Sequence, residues 1–165
     1  MDPASQVYFT ALRTQYFPAY ANFLDAHITL FHKLPRRLPK LENQLSSFAL
    51  RTTFNLRVTA VKHIGTGVAF ILESKELKQL HKKMQVTFKP WLISKDRLKL
   101  WPHITIQNKV TEYKSRLLYE ELNHSFIPFD VKATGLASWQ YLKGPWQLLN
   151  VFPFADATNE IEETI

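Results

Sequence analysis

The sequence predicts an α+β fold made of two copies of one αβ unit, with two mainly antiparallel sheets facing a central cleft and helices outside. Three observations lead there. The tripeptide His-Ile-Thr occurs twice, at 27–29 and at 103–105. Each copy is followed by a stretch of helical spacing and then by two strand-like runs meeting at glycine. The interval is 38 positions from His27 to Gly65 and 41 from His103 to Gly144. The same order at nearly the same spacing implies an internal duplication. The chain is therefore expected to be one bilobal, pseudo-twofold domain over 1–165, its two lobes intertwined.

Each element has its own local reason. Gln6–Arg13 is rich in aromatic and β-branched residues and reads as a strand. Thr14–Leu24, interrupted by Pro18, reads as a loop or short helix, and Ala26–Lys33 as a strand closed by Leu34-Pro35. Leu38, Leu41, Leu45 and Phe48 have helical spacing over Leu38–Leu50, and Pro39 suits a first turn. Phe54–Ile64 and Val68–Leu72 are two strands joined at Gly65-Thr66-Gly67, after which Ser74 caps a helix to about Met84. Val86–Leu100 gives no single element, because Pro90 interrupts it.

The pattern then repeats. Pro102–Val110 reads as a strand, and Thr111 caps a helix through Leu122 with Tyr113, Leu117 and Leu118 on one side. Phe126–Leu142 and Pro145–Phe154 are strand-rich around Lys143-Gly144, and the acidic tail Ala155–Ile165 is expected to be loosely held.

Composition narrows the function. Of 165 residues, 45% are hydrophobic, with 12 Phe, 6 Tyr and 4 Trp, enough for a packed core and against disorder. The net charge of +7 and pI near 9.6 favour anionic partners such as phosphates or nucleic acid. Part of that charge, Lys75, Lys78, Lys82 and Lys83, falls on an expected helix and reads as a solvated face. Cysteine is absent, which excludes disulfide scaffolds, thiol nucleophiles and Cys-based zinc sites. Neither a secretory leader nor an apolar run of membrane-spanning length is found, so the expectation is a cytoplasmic protein without a membrane partner.

The two motifs carry the chemistry. In a strand, residues i and i+2 share a face, so His27 points with Thr29 and His103 with Thr105, while Ile28, Leu30, Ile104 and Ile106 point into the apolar layer. Polar pairs on core-building strands call for a reason, because buried unpaired polar groups are costly. A phosphate held between them supplies one. Displacement at phosphorus needs one group to accept a proton from the nucleophile and another to donate one to the leaving oxygen. Imidazole suits both tasks, with a reference pKa of roughly 6.5. The threonine hydroxyls can donate to non-bridging oxygens. That chemistry requires neither metal nor cofactor.

Paired His-x-Thr-hydrophobic motifs in a small two-lobed αβ chain resemble the 2H phosphoesterase superfamily, which includes the 2′-5′ RNA ligases and 2′,3′-cyclic nucleotide phosphodiesterases. The resemblance spans Gln6 to Phe154. It implies catalytic His27 and His103 with substrate-binding Thr29 and Thr105, and a reaction that opens a 2′,3′-cyclic phosphate or makes or breaks a 2′-5′ linkage. It implies RNA ends or a nucleotide as substrate and no metal site. Which histidine is the base differs with the direction of reaction, His27 being the choice for hydrolysis, and a monomer is expected. The first motif continues as Phe31-His32-Lys33, without the glycine often present in ligase-like members.

Continuing the alternation adds Phe31 as a stacking residue and Gln107 as a phosphate or sugar ligand. Trp101, Trp139, Tyr141 and Trp146 are aromatic residues near the second motif or its paired strands, where core packing is the ordinary role. His27 and His32 are five apart on an extended segment and face opposite sides, so they cannot share a metal. Two other functions compete. A nucleotide- or RNA-binding module on the same fold would bind without turnover. An interaction protein using its basic surface would bind RNA in a salt-dependent way, whatever its histidines.

Overall fold

The computed structural model describes residues 1–35 and 39–156. The described chain runs α1 (Pro3–Tyr16), α2 (Pro39–Ala49), β1 (Phe54–His63), β2 (Val68–Glu73), α3 (Lys75–Phe88), β3 (His103–Gln107), α4 (Glu112–His124), β4 (Phe129–Ala133), β5 (Gly135–Tyr141) and β6 (Trp146–Pro153). Short 3₁₀ turns lie at Ala19–Ala21, Lys89–Trp91 and Ser94–Arg97. The strands form a four-stranded sheet of order β3-β2-β1-β4 and a two-stranded ribbon of β5 and β6. No helix among the described residues is long and apolar enough to cross a membrane. The predicted α+β class with antiparallel pairing stands, but the two sheets are unequal in size.

The chain divides into two compact units, each assembled from three separate stretches. The first takes Met1–Thr29, Leu56–Ser74 and Trp101–Val131. Its sheet pairs Phe70 with Ile104, and both are buried along with Ile106, Val58 and Leu72. Phe9 of α1 meets Phe70 edge-on at 5.2 Å and stacks with Phe129 at 5.9 Å. From α4, Leu118 and Ser115 are buried. The Ser115 hydroxyl donates to the Gly65 carbonyl and lies 2.8 Å from His63 Nε2, tying α4 to the β1–β2 turn. Gly67 in that turn is needed for close approach, since a Cβ there would collide with the Gln107 carbonyl.

The second unit takes Leu30–Asn55, Lys75–Leu100 and the described chain from Lys132. Leu77, Leu80, His81, Met84 and Phe88 form the buried stripe of α3. Phe88 packs edge-on against Phe31 at 5.5 Å and Phe48 at 5.9 Å. Helix α2 buries Leu41, Leu45 and Ala49 and lies against β5 and β6.

Several expectations are corrected. Gln6–Arg13 is helix, not strand. Asp2 caps α1 by accepting from the Ser5 N–H at 2.9 Å, Pro3 suits its first turn, and Phe9 and Arg13, four apart, form its buried stripe. Burial of that stripe outweighs the β propensity of Val7, Tyr8 and Phe9. Ala26–Lys33 joins no strand ladder, and side chains satisfy part of its backbone instead. The helix after Ser74 continues to Phe88, past the predicted Met84, and two 3₁₀ turns follow it within 86–100. On α4, Tyr113 and Leu117 are exposed while Leu118 is buried, because Ser115 and Leu118 define the inward stripe. Leu38 and the tail from 157 lie outside the described residues.

Candidate active site

The two motif segments are held in different ways. Around His103 the strand does the work: β3 pairs with β2, setting Ile71 beside His103 and Ala69 beside Thr105. The alternation is as predicted, with Ile104 and Ile106 buried on one face and His103 and Thr105 partly exposed on the other. Around His27 there is no ladder, and α1 takes its place. Gln6 Nε2 donates to the Ala26 carbonyl at 2.9 Å, and the Ala26 N–H donates to Thr10 Oγ1 at 3.2 Å. Both backbone groups of the residue before His27 are thus held by helix side chains.

Arg13 joins the two segments. Its Nε donates to the Leu24 carbonyl at 3.1 Å, its Nη2 to Asn22 Oδ1 at 2.9 Å, and its Nη1 to the Thr105 carbonyl at 2.6 Å. β3 is an edge strand, and this guanidinium takes a carbonyl that another strand would otherwise pair. Arg13 is buried, and its guanidinium lies 4.5 Å from the Phe17 ring centre. Loss of solvation lowers its pKa to about 10, with Asp25 opposing, so it remains charged at neutral pH.

Both imidazoles have the same local arrangement. His27 Nδ1 lies 2.7 Å from the Asp25 carbonyl, and His103 Nδ1 lies 2.8 Å from the Trp101 carbonyl, in each case two residues upstream. A carbonyl only accepts, so Nδ1 carries the hydrogen in both rings and Nε2 is left for a ligand. Among the described residues, neither the Thr29 nor the Thr105 hydroxyl has a protein hydrogen-bond partner. The duplication seen in the sequence therefore extends to side-chain geometry.

The two rings have different surroundings. By surface area His27 is an exposed residue, yet its ring sits among enough protein atoms that desolvation lowers its pKa. The hydrogen bond to Asp25 opposes this, while the positive charges of Arg13 and His103 lower it further and the Asp25 carboxylate raises it. His27 and His103, 76 positions apart, thus lie within electrostatic range inside one unit. His103 stacks on Trp101 at 4.5 Å, and Lys62 Nζ lies 5.1 Å from the Trp101 ring centre. Lys62 pairs with Ala69, which pairs with Thr105, so this lysine shares the motif face of the sheet.

The remaining predicted residues are placed differently. Gln107 does not continue the alternation: a register shift sets it opposite Val68, so it lies on the buried face of Phe70 and Ile104. It is 6% exposed, and its Oε1 has no partner among the described residues. Phe31 belongs to the second unit, where one ring face stacks on His81 at 4.8 Å. Among the described residues, no group of three or more His, Asp or Glu side chains is arranged to hold a metal ion.

Sequence reasoning missed Arg13, Lys62 and the part played by Gln6 and Thr10. The signal was present in one case: an arginine four residues after Phe9 on an apolar helical stripe marks a buried cation, but only once the stretch is read as a helix. Asp96 was missed as well. Its carboxylate, in the second unit, accepts from the backbone N–H groups of His32 and Lys33 at 2.9 and 3.0 Å and lies 2.8 Å from His32 Nδ1. It anchors the chain just after the first motif.

Solved structures share this fold. TT0787 of Thermus thermophilus matches at 16% identity with a TM-score of 0.62, covering 93% of each chain. The E. coli protein LigT, solved with 3′-AMP, matches at 19% identity with a TM-score of 0.53 over 93% of each chain. A structure described as a phosphoesterase matches at 17% identity with a TM-score of 0.53, covering 91% of this chain and 90% of its own. Among curated protein sequences none matches. The family model of the 2′-5′ RNA ligase superfamily matches residues 1–145, most of the chain, and the chain belongs to that superfamily, the 2H phosphoesterases.

Proposed function

We propose that this chain is a metal-independent phosphoesterase acting on 2′,3′-cyclic phosphates or 2′-5′ linkages of RNA or nucleotides, with His27 and His103 as its proton-transfer pair. The observation that carries the reading is the repeated geometry of the two imidazoles. Each is anchored through Nδ1 to the carbonyl two residues upstream and keeps Nε2 for a ligand. The lowered pKa of His27 keeps it neutral at neutral pH, as a base must be.

In hydrolysis of a 2′,3′-cyclic phosphate, His27 Nε2 takes a proton from water as its oxygen bonds to phosphorus. The P–O3′ bond breaks, and His103 Nε2–H protonates the leaving oxygen, so the product is a 2′-phosphate with a free 3′-hydroxyl. Thr29 and Thr105 donate to the non-bridging oxygens, where charge accumulates. Lys62 adds positive charge to the face that carries His103 and Thr105. The proposal includes a single two-lobed domain acting as a monomer in the cytoplasm.

The test is incubation with a 2′,3′-cyclic mononucleotide and a cyclic-ended RNA in the presence of chelator. Turnover should persist, and His27→Ala or His103→Ala should each lower kcat/KM by roughly 10²–10⁴. Unchanged turnover in either variant would refute the mechanism. Binding of nucleotide without product in the wild type would select the non-catalytic binding module.

A further inference from the structure

The β5–β6 ribbon has its faces reversed. Its register sets Ala137 opposite Val151, Trp139 opposite Leu148 and Tyr141 opposite Trp146, all on one face. The other face carries Leu136, Ser138, Gln140, Gln147, Asn150 and Phe152, of which only Gln147, near the hairpin tip, is exposed. A ribbon packed on one side normally buries its apolar face and wets its polar one. Here Trp139, Tyr141, Trp146, Leu148 and Val151 are 41%, 48%, 36%, 44% and 59% exposed. Ser138, Gln140 and Asn150 are on the half-buried side, and Ser138 Oγ is buried with no partner among the described residues. Folding alone would favour the opposite arrangement, so an aromatic face kept in water calls for a partner.

We infer that this face is a stacking platform for the unpaired bases of a single-stranded RNA. The inference rests on the phosphoesterase reading for its link to turnover, but not for binding itself. Three features select RNA. Between Lys132 and Ala155 there is no carboxylate, so nothing on the ribbon repels a polyanion. Lys143 stands at the hairpin tip with φ 65, in a chain of net charge +7. The rings are also spaced for bases. Trp139 and Tyr141 are two residues apart on one strand, about 6.7 Å, which leaves room for one base between successive rings. Tyr141 and Trp146 already form a cross-strand pair with centroids 5.0 Å apart, so the platform exists before binding.

The experiment measures anisotropy of a fluorescein-labelled oligouridylate of about eight nucleotides, ending in a 2′,3′-cyclic phosphate. Binding is compared for wild type, Trp139→Ala, Trp146→Ala and, as an exposed aromatic outside the ribbon, Tyr113→Ala. Each tryptophan variant should weaken binding by roughly five- to 150-fold, and Tyr113→Ala should not. Thermal unfolding checks that the variants fold. Trp139→Leu keeps bulk without stacking and should weaken binding as the alanine does. The ratio of kcat/KM on the oligonucleotide to that on the cyclic mononucleotide should fall with binding. Oligonucleotide affinity unchanged in both tryptophan variants overturns the platform. So does a loss seen only in vesicle binding or self-association, which would reassign the face to a membrane or to a second copy. A wild type that binds the oligonucleotide through these rings yet turns over neither substrate would leave the platform standing and overturn the enzyme.

Discussion

Replacing Arg13 by methionine removes the one side chain that holds both motif segments, while keeping most of its length. Three hydrogen bonds are lost, and the Leu24 and Thr105 carbonyls are left without that donor. A hydrogen bond from a charged group contributes about 1.5–3 kcal/mol, and a buried group left unsatisfied costs about 1–3 kcal/mol. These effects overlap, so the net loss is about 2–5 kcal/mol, a substantial part of the roughly 5–15 kcal/mol stability of an ordinary domain. At about 2–4 °C per kcal/mol for a chain of this size, Tm should fall by about 5–15 °C. The charge has a second effect. Arg13 is one of the cations lowering the His27 pKa, behind desolvation, so its removal should raise that pKa. A base that must be neutral then titrates at higher pH, and the acid limb of kcat/KM moves upward. Arg13→Lys separates the two roles, because it keeps the charge and loses the planar fork that reaches three acceptors. It should restore the acid limb but little of the Tm. The assays are a pH–rate profile on the cyclic mononucleotide, an NMR titration of His27 and thermal unfolding. An Arg13→Met protein with wild-type Tm and an unmoved His27 titration would refute the clamp.

Other expected outcomes follow from the same geometry. His27 and His81 both have pKa values lowered first of all by burial, so the unfolded chain binds protons more readily than the folded one. Their contribution is complete above the unfolded value of roughly 6.5 and is lost as pH falls through the folded values. Tm should therefore drop on acidification below about 6.5, and His81→Gln, which keeps a donor for the Leu30 carbonyl, should flatten that slope in a pH series of melts. Asp96→Asn replaces a fully buried carboxylate that serves two backbone N–H groups and His32, so denaturant unfolding should show a loss of about 2–4 kcal/mol, and a loss under about 0.5 would contradict the anchor. Gly67→Ala puts a methyl group into the Gln107 backbone and should destabilise by about 2 kcal/mol or more, because backbone rather than a flexible side chain must yield. An unchanged melt would show that the turn can open.

What the sequence determined by itself is what neighbouring residues decide. The Gly65-Thr66-Gly67 turn between β1 and β2, the alternation of His103-Ile104-Thr105-Ile106 and the Thr111 cap of α4 all follow from periods and caps only a few residues long. The repeated His-Ile-Thr was legible for the same reason. Tertiary structure decided the rest. Gln6–Arg13 became a helix because burying Phe9 and Arg13 outweighs its local β preference. The His27 segment stayed outside any ladder because Gln6, Thr10 and Arg13 supply hydrogen bonds that a strand would have given. Which face of β5–β6 meets water could not be read from its alternation, since alternation separates two faces without naming the inner one. The electrostatic coupling of His27 to His103 likewise depends on α1 folding against β3, contacts that no local window of sequence contains.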